Sequence, residues 1–497
     1  MGEDTRHIFE PEFNRSIKVE ATDQRLTSNA GVVLLREADE RSQLITSIAN
    51  RISDPRNPDR IRYSLTELIR ERVYTMAMGY CAQDDVDVLC HDPAFRMAVW
   101  NRRGDQVVEE RLASQPTQSR LLRILTSNPE NLRAIQSGLG DSIRRHVLSS
   151  QNHRVRQATI DIDSFPSDVH GQQEGAAYNG YYQRTIYHPL LASFCVGGDY
   201  DSTRSGLRLG NGVIHAMLRQ GQVHMADGML GFLDQTHRQA MRMACHVDYR
   251  LDAGYTIGSV LDRMTQMNRR FVGRLKSNAV LDRMAEPHWK RPPGRPPAEG
   301  YEKVVELGQY QARDWQFAQR VILVVIDKPD PETGQLDLFP RYFFLVTNWR
   351  EQQRPGASLL EHYRRRGTFE DRLGEFNQAI GVHLSSPNFK ENEATFLLAL
   401  LADYLTTICR NELEDAVGGC WDMRRFQQFL FRVVGLCIKK SRRLVLRIAQ
   451  SAKPLWRILA SCLQGWSLPA ELMQPPHHQV GFKPPPRHAH VETVLRW

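Results

Sequence analysis

A chain of 497 residues exceeds the roughly 250 to 300 residues at which a single hydrophobic core stops growing, so a central domain with appended modules is expected. Hydrophobic residues make up 41% and charged ones 25%; no apolar run approaches the ~18 to 20 residues that cross a bilayer, which excludes a membrane-spanning protein and any membrane partner. The formal charge of +8 favours a polyanionic partner, because Lys and Arg that neutralise phosphates gain affinity by releasing counterions.

From its start the chain lacks the basic residues and apolar stretch of a signal peptide. The eight cysteines are scattered without a C-x-x-C pair, as expected of reduced thiols in a cytosolic protein. Residues 1–30 are polar. Residues 31–150 read as a helical module: Ser64 and Glu67 have capping-box spacing ahead of Leu65, Leu68, Ile69, Val73 and Met76 at helical intervals.

From about Val155 the pattern turns to strands. Val155 to Asp163, Gly180 to Tyr187 and Leu190 to Val196 predict a three-strand meander. A helix (about 226–243), a strand (His246 to Asp252), a helix (about 257–267) and a strand (Phe271 to Leu275) follow. That order predicts an α/β fold with an RNase H-like mixed sheet, its first part at 151–277. Residues 278–347 read as a β-rich insertion opened by the stiff piece Arg291-Pro-Pro-Gly-Arg-Pro-Pro297. The second part of the core, 348–410, holds a helix started by a capping box at Ser358 and Glu361 and carrying Glu370. Residues 411–468 read as a basic helical segment, since Arg424 to Arg457 holds ten Lys or Arg and no acidic residue. The Pro- and His-rich tail, 469–497, reads as disordered.

Three acidic positions carry the chemistry. Along the first strand Asp161 and Asp163 alternate with Ile160 and Ile162, so both face one side of the sheet. Asp163, nearer the carboxyl end, is the preferred ligand and Asp161 the alternative. Asp252 ends a second strand, and Tyr363, Arg366 and Glu370, three and four apart, share a helical face, with Asn377 a heptad further on. Carboxylates converging from separate elements suit two hard Mg2+ ions, with Mn2+ able to substitute, and such a pair neutralises the attacking and leaving oxygens of a phosphodiester displacement. Taken singly, each acid reads as a strand-end or solvated helix residue; their joint order argues for a site.

These stretches resemble a known family, the DDE transposases of bacterial insertion sequences, in the type called transposase DDE domain group 1. The resemblance rests on Asp161-Ile-Asp163, Gly171-Gln-Gln-Glu-Gly-Ala-Ala-Tyr-Asn-Gly-Tyr-Tyr182, Tyr187-His-Pro-Leu190, Leu207-Arg-Leu-Gly-Asn211, Arg250-Leu-Asp-Ala-Gly-Tyr255, Gly273-Arg-Leu-Lys-Ser-Asn278 and Tyr363-Arg-Arg-Arg-Gly367 with Glu370. It extends into the first module through Ser53-Asp-Pro-Arg56, His91-Asp-Pro93 and Leu112-Ala-Ser-Gln-Pro-Thr117, and covers roughly residues 30 to 410.

The resemblance implies an enzyme that binds terminal inverted repeats, cleaves DNA strands with magnesium and joins the ends to target DNA. It implies a homodimer on double-stranded DNA, in a bacterial cytoplasm at the nucleoid. Carried over by motif, Asp163, Asp252 and Glu370 form the metal triad, and Tyr363, Arg366, Arg250 and Asn377 contact DNA. Residues 31–150 become a DNA-binding module, and the basic segment a DNA-binding helix in preference to a membrane-surface one. Two departures stand out: Asn377 replaces a lysine often found seven residues after the glutamate, and Phe165 replaces a Ser or Thr. They motivate the alternative of a catalytically silent, transposase-derived DNA-binding protein.

Overall fold

The computed structural model describes residues 7–465 except 103, 152, 170, 198–211, 224–226, 292–298, 330–335, 337–338, 418–420 and 442. The Leu207 to Asn211 motif, the Pro-rich piece from 292 to 297 and the tail from 469 lie outside the described residues. No helix among the described residues is long and apolar enough to cross a membrane.

After short strands at His7–Phe9, Val19–Glu20 and Arg25–Thr27, the first module folds as helices, among them α1 (Val32–Ser42), α2 (Leu65–Ala77) and α3 (Pro129–Gln151). The Ser64 capping box forms as the sequence predicts. Its hydroxyl accepts from the Glu67 amide at 3.3 Å, and the Glu67 carboxylate accepts from the Ser64 amide at 2.9 Å, which satisfies two donors that a helix start otherwise leaves bare.

Eight strands then build one mixed sheet: β1 (Val155–Ser164), β2 (Leu190–Val196), β3 (Gly212–Met217), β4 (Ala244–Leu251), β5 (Arg270–Leu275), β6 (Tyr301–Tyr310), β7 (Gln319–Asp327) and β8 (Arg341–Thr347). Their spatial order is β6-β7-β8-β5-β4-β1-β2-β3. The pairs β1–β2 and β2–β3 are antiparallel, whereas β1–β4 and β4–β5 are parallel. The parallel connections are helical, α4 (Met229–Met241) leading into β4 and α5 (Gly258–Gln266) into β5. A strand at the centre of such a sheet is covered on both faces, and Ala158, Thr159, Ile160, Asp161 and Ile162 of β1 are all buried.

One expectation needs correction here. The run Gly180 to Tyr187 does not join the main sheet; only Arg184–Tyr187 is a strand, and it pairs with Ser167–Asp168 and Ala177–Asn179 in a small sheet of its own. Tyr181, Gln183 and Arg184 are solvent-facing, and only Ile186 and Tyr187 at its end are buried. The third meander strand is β3, where Ile214 and Ala216 are buried. The runs of the 278–347 region, β6 to β8, continue the main sheet, β8 pairing with β5 from Val272–Thr347 to Leu275–Phe344.

Helices α6 (Gly356–Arg364), α7 (Gly367–Ala379) and α8 (Phe389–Val417) follow. The capping box expected at Ser358 and Glu361 is not made. The helix begins two residues earlier at Gly356 behind Pro355, without a side-chain cap, so Ser358 is already inside the first turn. Nor is the segment with Tyr363, Arg366 and Glu370 one continuous helix. It breaks at Arg365 and Arg366, ahead of Gly367, whose backbone is the least costly to bend.

The basic segment was expected to be helical throughout; Met423–Phe426 and Gln427–Phe431 are helical, but a hairpin follows them. β9 (Gly435–Lys440) pairs antiparallel with β10 (Arg443–Ile448), and β9 also pairs with the N-terminal strand Arg25–Thr27. Arg443-Leu-Val-Leu-Arg-Ile448 is rich in branched residues that suit a pleated surface, and Ser441 takes the left-handed conformation at the turn, φ 51°. After the hairpin comes α9 (Lys453–Gln464), packing on α8 and α1.

Candidate active site

Parallel pairing of β1 with β4 runs in register from Ala244–Val155 to Leu251–Ile162. One step further along, Asp252 lies beside Asp163, on strands spaced about 4.8 Å apart. The sequence therefore places two carboxylates side by side through main-chain hydrogen bonds, not through side-chain chemistry.

Glu370 arrives from the other side. It stands in the first turn of α7, where a negative charge interacts favourably with the helix dipole. Arg366, only 5% exposed, joins it to the strands: Nη2 lies 2.8 Å from Asp163 Oδ2, and Nη1 pairs with Glu370 Oε1. Burial works against the charged guanidinium, but Asp163, Tyr363, Glu370 and Asp252 outweigh it and raise its pKa above the ordinary arginine value. Burial pushes the Asp163 carboxyl up to about 6; Arg366 opposes that shift, and Glu370 and Asp252 add to it. Asp252 and Glu370 thus both act electrostatically on Asp163, and Arg366 pairs with Asp163 and Glu370.

Asp161 has a different fate. It is fully buried, and Arg250, also fully buried, donates to it at 2.6 Å through Nε and 2.5 Å through Nη2. Arg250 Nη1 also donates to the His362 carbonyl at 3.0 Å. This corrects the expectation that Arg250 contacts DNA: its guanidinium has no surface, and it ties β4, β1 and α6 together. The same pair commits Asp161 to the scaffold and leaves Asp163 as the first-strand carboxylate facing the site.

Tyr363 is half-buried at the end of α6; burial raises its phenol above the usual value, Asp252 and Glu370 add to the shift, and Arg366 and Arg274 oppose it. Asn377 is exposed near the far end of α7. Phe165 is 6% exposed and packs edge-on against Phe376 of α7, ring centres 6.1 Å apart, and against Phe396 of α8 at 6.3 Å. The departure at this position is a core contact between the Asp163 strand and the Glu370 helix.

Sequence reasoning missed a neighbouring polar cluster. The Tyr255 hydroxyl donates to Ser164 Oγ at 2.6 Å, and Arg219 Nε donates to the His188 carbonyl at 3.0 Å. Tyr182 sets its ring edge-on to that of His188, 5.9 Å away. Burial, followed by Tyr181, Asp163 and Asp252, pushes its phenol up to about 12. Tyr182, His188 and Tyr255 lie within the quoted motifs, so a signal existed; Arg219 had none.

Three carboxylates offer the oxygen donors that a hard divalent cation takes, and Asp163, Asp252 and Glu370 fit such an ion in kind. As they stand, no three acidic, histidine or cysteine side chains among the described residues are close enough together to hold one; Arg366 supplies the positive charge between two of them.

The family model for transposase DDE domain group 1 matches residues 9–466. The chain belongs to that family. No curated protein matches it. Among solved structures it is similar to the piggyBac transposase in a synaptic complex with hairpin DNA, at 11% identity and a TM-score of 0.40, over 91% of this chain and 86% of that one.

Proposed function

We propose that this DDE-family chain is a DNA transposase that binds terminal inverted repeats, cleaves DNA strands there and transfers the ends to target DNA. The observation that carries the reading is Arg366, which pairs with both Asp163 and Glu370, beside the end of the β1–β4 ladder that Asp163 and Asp252 directly follow. An RNase H-like core accounts for the strand order β3-β2-β1-β4-β5 with its antiparallel and parallel halves, and β6 to β8 are the insertion at its edge.

In this reading Asp163, Asp252 and Glu370 hold two Mg2+ ions, or Mn2+ in their place, whose contribution when bound is to neutralise the phosphate oxygens during displacement. Arg366 holds the carboxylates in place beforehand and turns toward the DNA phosphate when they are otherwise neutralised, a bidentate fit for guanidinium. Tyr363 lines the same edge. Asn377, exposed beyond the carboxylates, contacts DNA further from the scissile bond. Double-stranded DNA is the partner, engaged by a homodimer in the bacterial cytoplasm.

The test is cleavage of a labelled duplex carrying the inverted repeats that flank the coding region, with Mg2+ or Mn2+. Wild type should nick at the repeat end, and Asp252→Asn should lose the activity by about 100-fold or more, while DNA affinity stays within a factor of a few; such a loss corresponds to about 2.7 kcal/mol of transition-state stabilisation. Cleavage without a divalent ion, or undiminished in the variant, overturns the reading. Binding without cleavage under every ion identifies the silent alternative.

A further inference from the structure

Two short links, Phe165-Pro166 and His188-Pro189, join the small sheet to β1 and β2. Ser164 at the end of β1 pairs with Leu190 at the start of β2, and Asp163 pairs with Leu191. Both links therefore leave the main sheet at the end that carries the carboxylates. A proline in each fixes one backbone angle, and links this short hold the small sheet close to Asp163. The turn of the small sheet folds back on one of them: the Tyr182 ring sits 5.9 Å from that of His188, which is 2% exposed.

That turn, residues 179–183, is pinned largely by one side chain. Asn179 Oδ1 accepts from the backbone amides of Tyr181 at 3.0 Å and Tyr182 at 3.3 Å, and Asn179 Nδ2 donates to the Gly221 carbonyl at 2.9 Å. The Asn179 carbonyl accepts from the Gln183 amide at 2.8 Å, and Gln183 takes the left-handed conformation, φ 55°. The backbone at Gly221 lies tight against the small sheet, where an added Cβ would come 2.1 Å from the Ile186 carbonyl. A turn tied in this way presents its two tyrosines in one arrangement before any ligand arrives, which lowers the cost of binding.

The two rings are placed differently. Tyr182 is half-buried, and its hydroxyl makes no hydrogen bond among the described residues. Burial first, then Tyr181, Asp163 and Asp252, hold its phenol in the protonated form, so beside the two carboxylates stands a neutral donor that does not repel an anion. Tyr181 meets the Tyr182 ring edge-on, centres 4.9 Å apart, and is 83% exposed. A single exposed ring is ordinary on a protein surface; this one is fixed next to the carboxylates, on the residue adjoining a bare hydroxyl.

We propose that the 179–183 turn grips the DNA strand processed at Asp163, Asp252 and Glu370, Tyr182 donating its hydroxyl to a phosphate oxygen and Tyr181 stacking its ring on the adjoining base. The proposal rests on the transposase reading. An aromatic face stacks on every base, and a hydroxyl on a phosphate carries no sequence information. The turn therefore sets where the strand lies and not which sequence is chosen.

The experiment uses the full-length protein and a fluorescent duplex carrying the repeat end, with polarisation for affinity and a single-turnover assay for the cleavage rate. Tyr181→Ala should weaken duplex binding by about 5-fold or more, the worth of one stacked base, and Tyr181→Phe should restore it. Tyr182→Phe, which keeps the ring and loses only the hydroxyl, should slow cleavage by about 10-fold or more, as loss of a hydrogen bond to a charged group does. Equal melting temperatures of all three variants and wild type check that the fold is kept. Unchanged affinity in Tyr181→Ala overturns the stack, and unchanged cleavage in Tyr182→Phe overturns the phosphate contact. The two together, in a wild type that cleaves, sink the proposal and leave the transposase reading standing. Weakened binding by Tyr181→Ala in a protein that never cleaves overturns that reading and keeps the strand contact. No duplex binding by wild type overturns both.

Discussion

Two aspartates one residue apart on a strand are indistinguishable by alternation, since both project from one face. What separates Asp161 from Asp163 is tertiary: Arg250 fills the space beside the first, and Arg366 reaches the second. The sequence could not show this, because Arg250 in Arg-Leu-Asp252 looks like a phosphate ligand until the strand is seen to be covered on both faces. Removing one partner of a buried pair leaves the other uncompensated, so Asp161→Asn should lower the free energy of unfolding by about 3 to 5 kcal/mol. Urea denaturation followed by fluorescence measures this, and an unchanged midpoint would show that Asp161 is not the scaffold residue its contacts make it. Asp163→Asn leaves Arg366 its Glu370 partner and should cost less in the same assay.

Phe165 connects two elements that bear on the site, the end of β1 and the helix α7. Phe165→Ala removes the ring wedged against Phe376 and Phe396 and should cost about 3 to 5 kcal/mol of stability; Phe165→Leu, which keeps most of the volume, should cost less. If the ring also fixes the spacing of Asp163 and Glu370, residual folded Phe165→Ala should cleave more slowly while binding duplex normally, and calorimetry beside a cleavage assay separates the two effects. The elements themselves were mostly legible in the sequence. β1, β4, β5, α4 and α5 fall where apolar periodicity and turn residues put them, and the Ser64 box forms as its spacing predicts. The misses share a cause: short spacings lack phase. Ser358 and Glu361 have the right separation but lie inside a helix already begun by Pro355, and the branched residues of β10 are compatible with a helical face until the turn at Ser441 pairs them with β9.

At the scale of the whole molecule, residues 25–42 and the segment from 435 to 464 are built into each other. Arg25–Thr27 adds a strand to the β9 edge, Thr27 Oγ1 donates to Asp92 at 2.7 Å, and α9 packs on α1 and α8. The helical first module and the basic last segment therefore share packing despite their separation in sequence. Deleting residues 1–28 should expose the β9 edge, lower the melting temperature and promote association, since an unpaired edge is a template for other strands. Differential scanning fluorimetry with light scattering tests this; identical melting and scattering for the shortened chain would show that the end strand contributes nothing.

The unequal mounting of the three acids divides their mechanical tasks. Asp163 and Asp252 directly follow the last pair of the β1–β4 ladder, Ile162 with Leu251, so both are mounted on the sheet. Glu370 hangs from a separate helix that begins at a two-residue interruption, with one guanidinium as its tether to the strands. Any tightening or loosening of the centre falls to that third member, as a jaw closing on a rigid anvil.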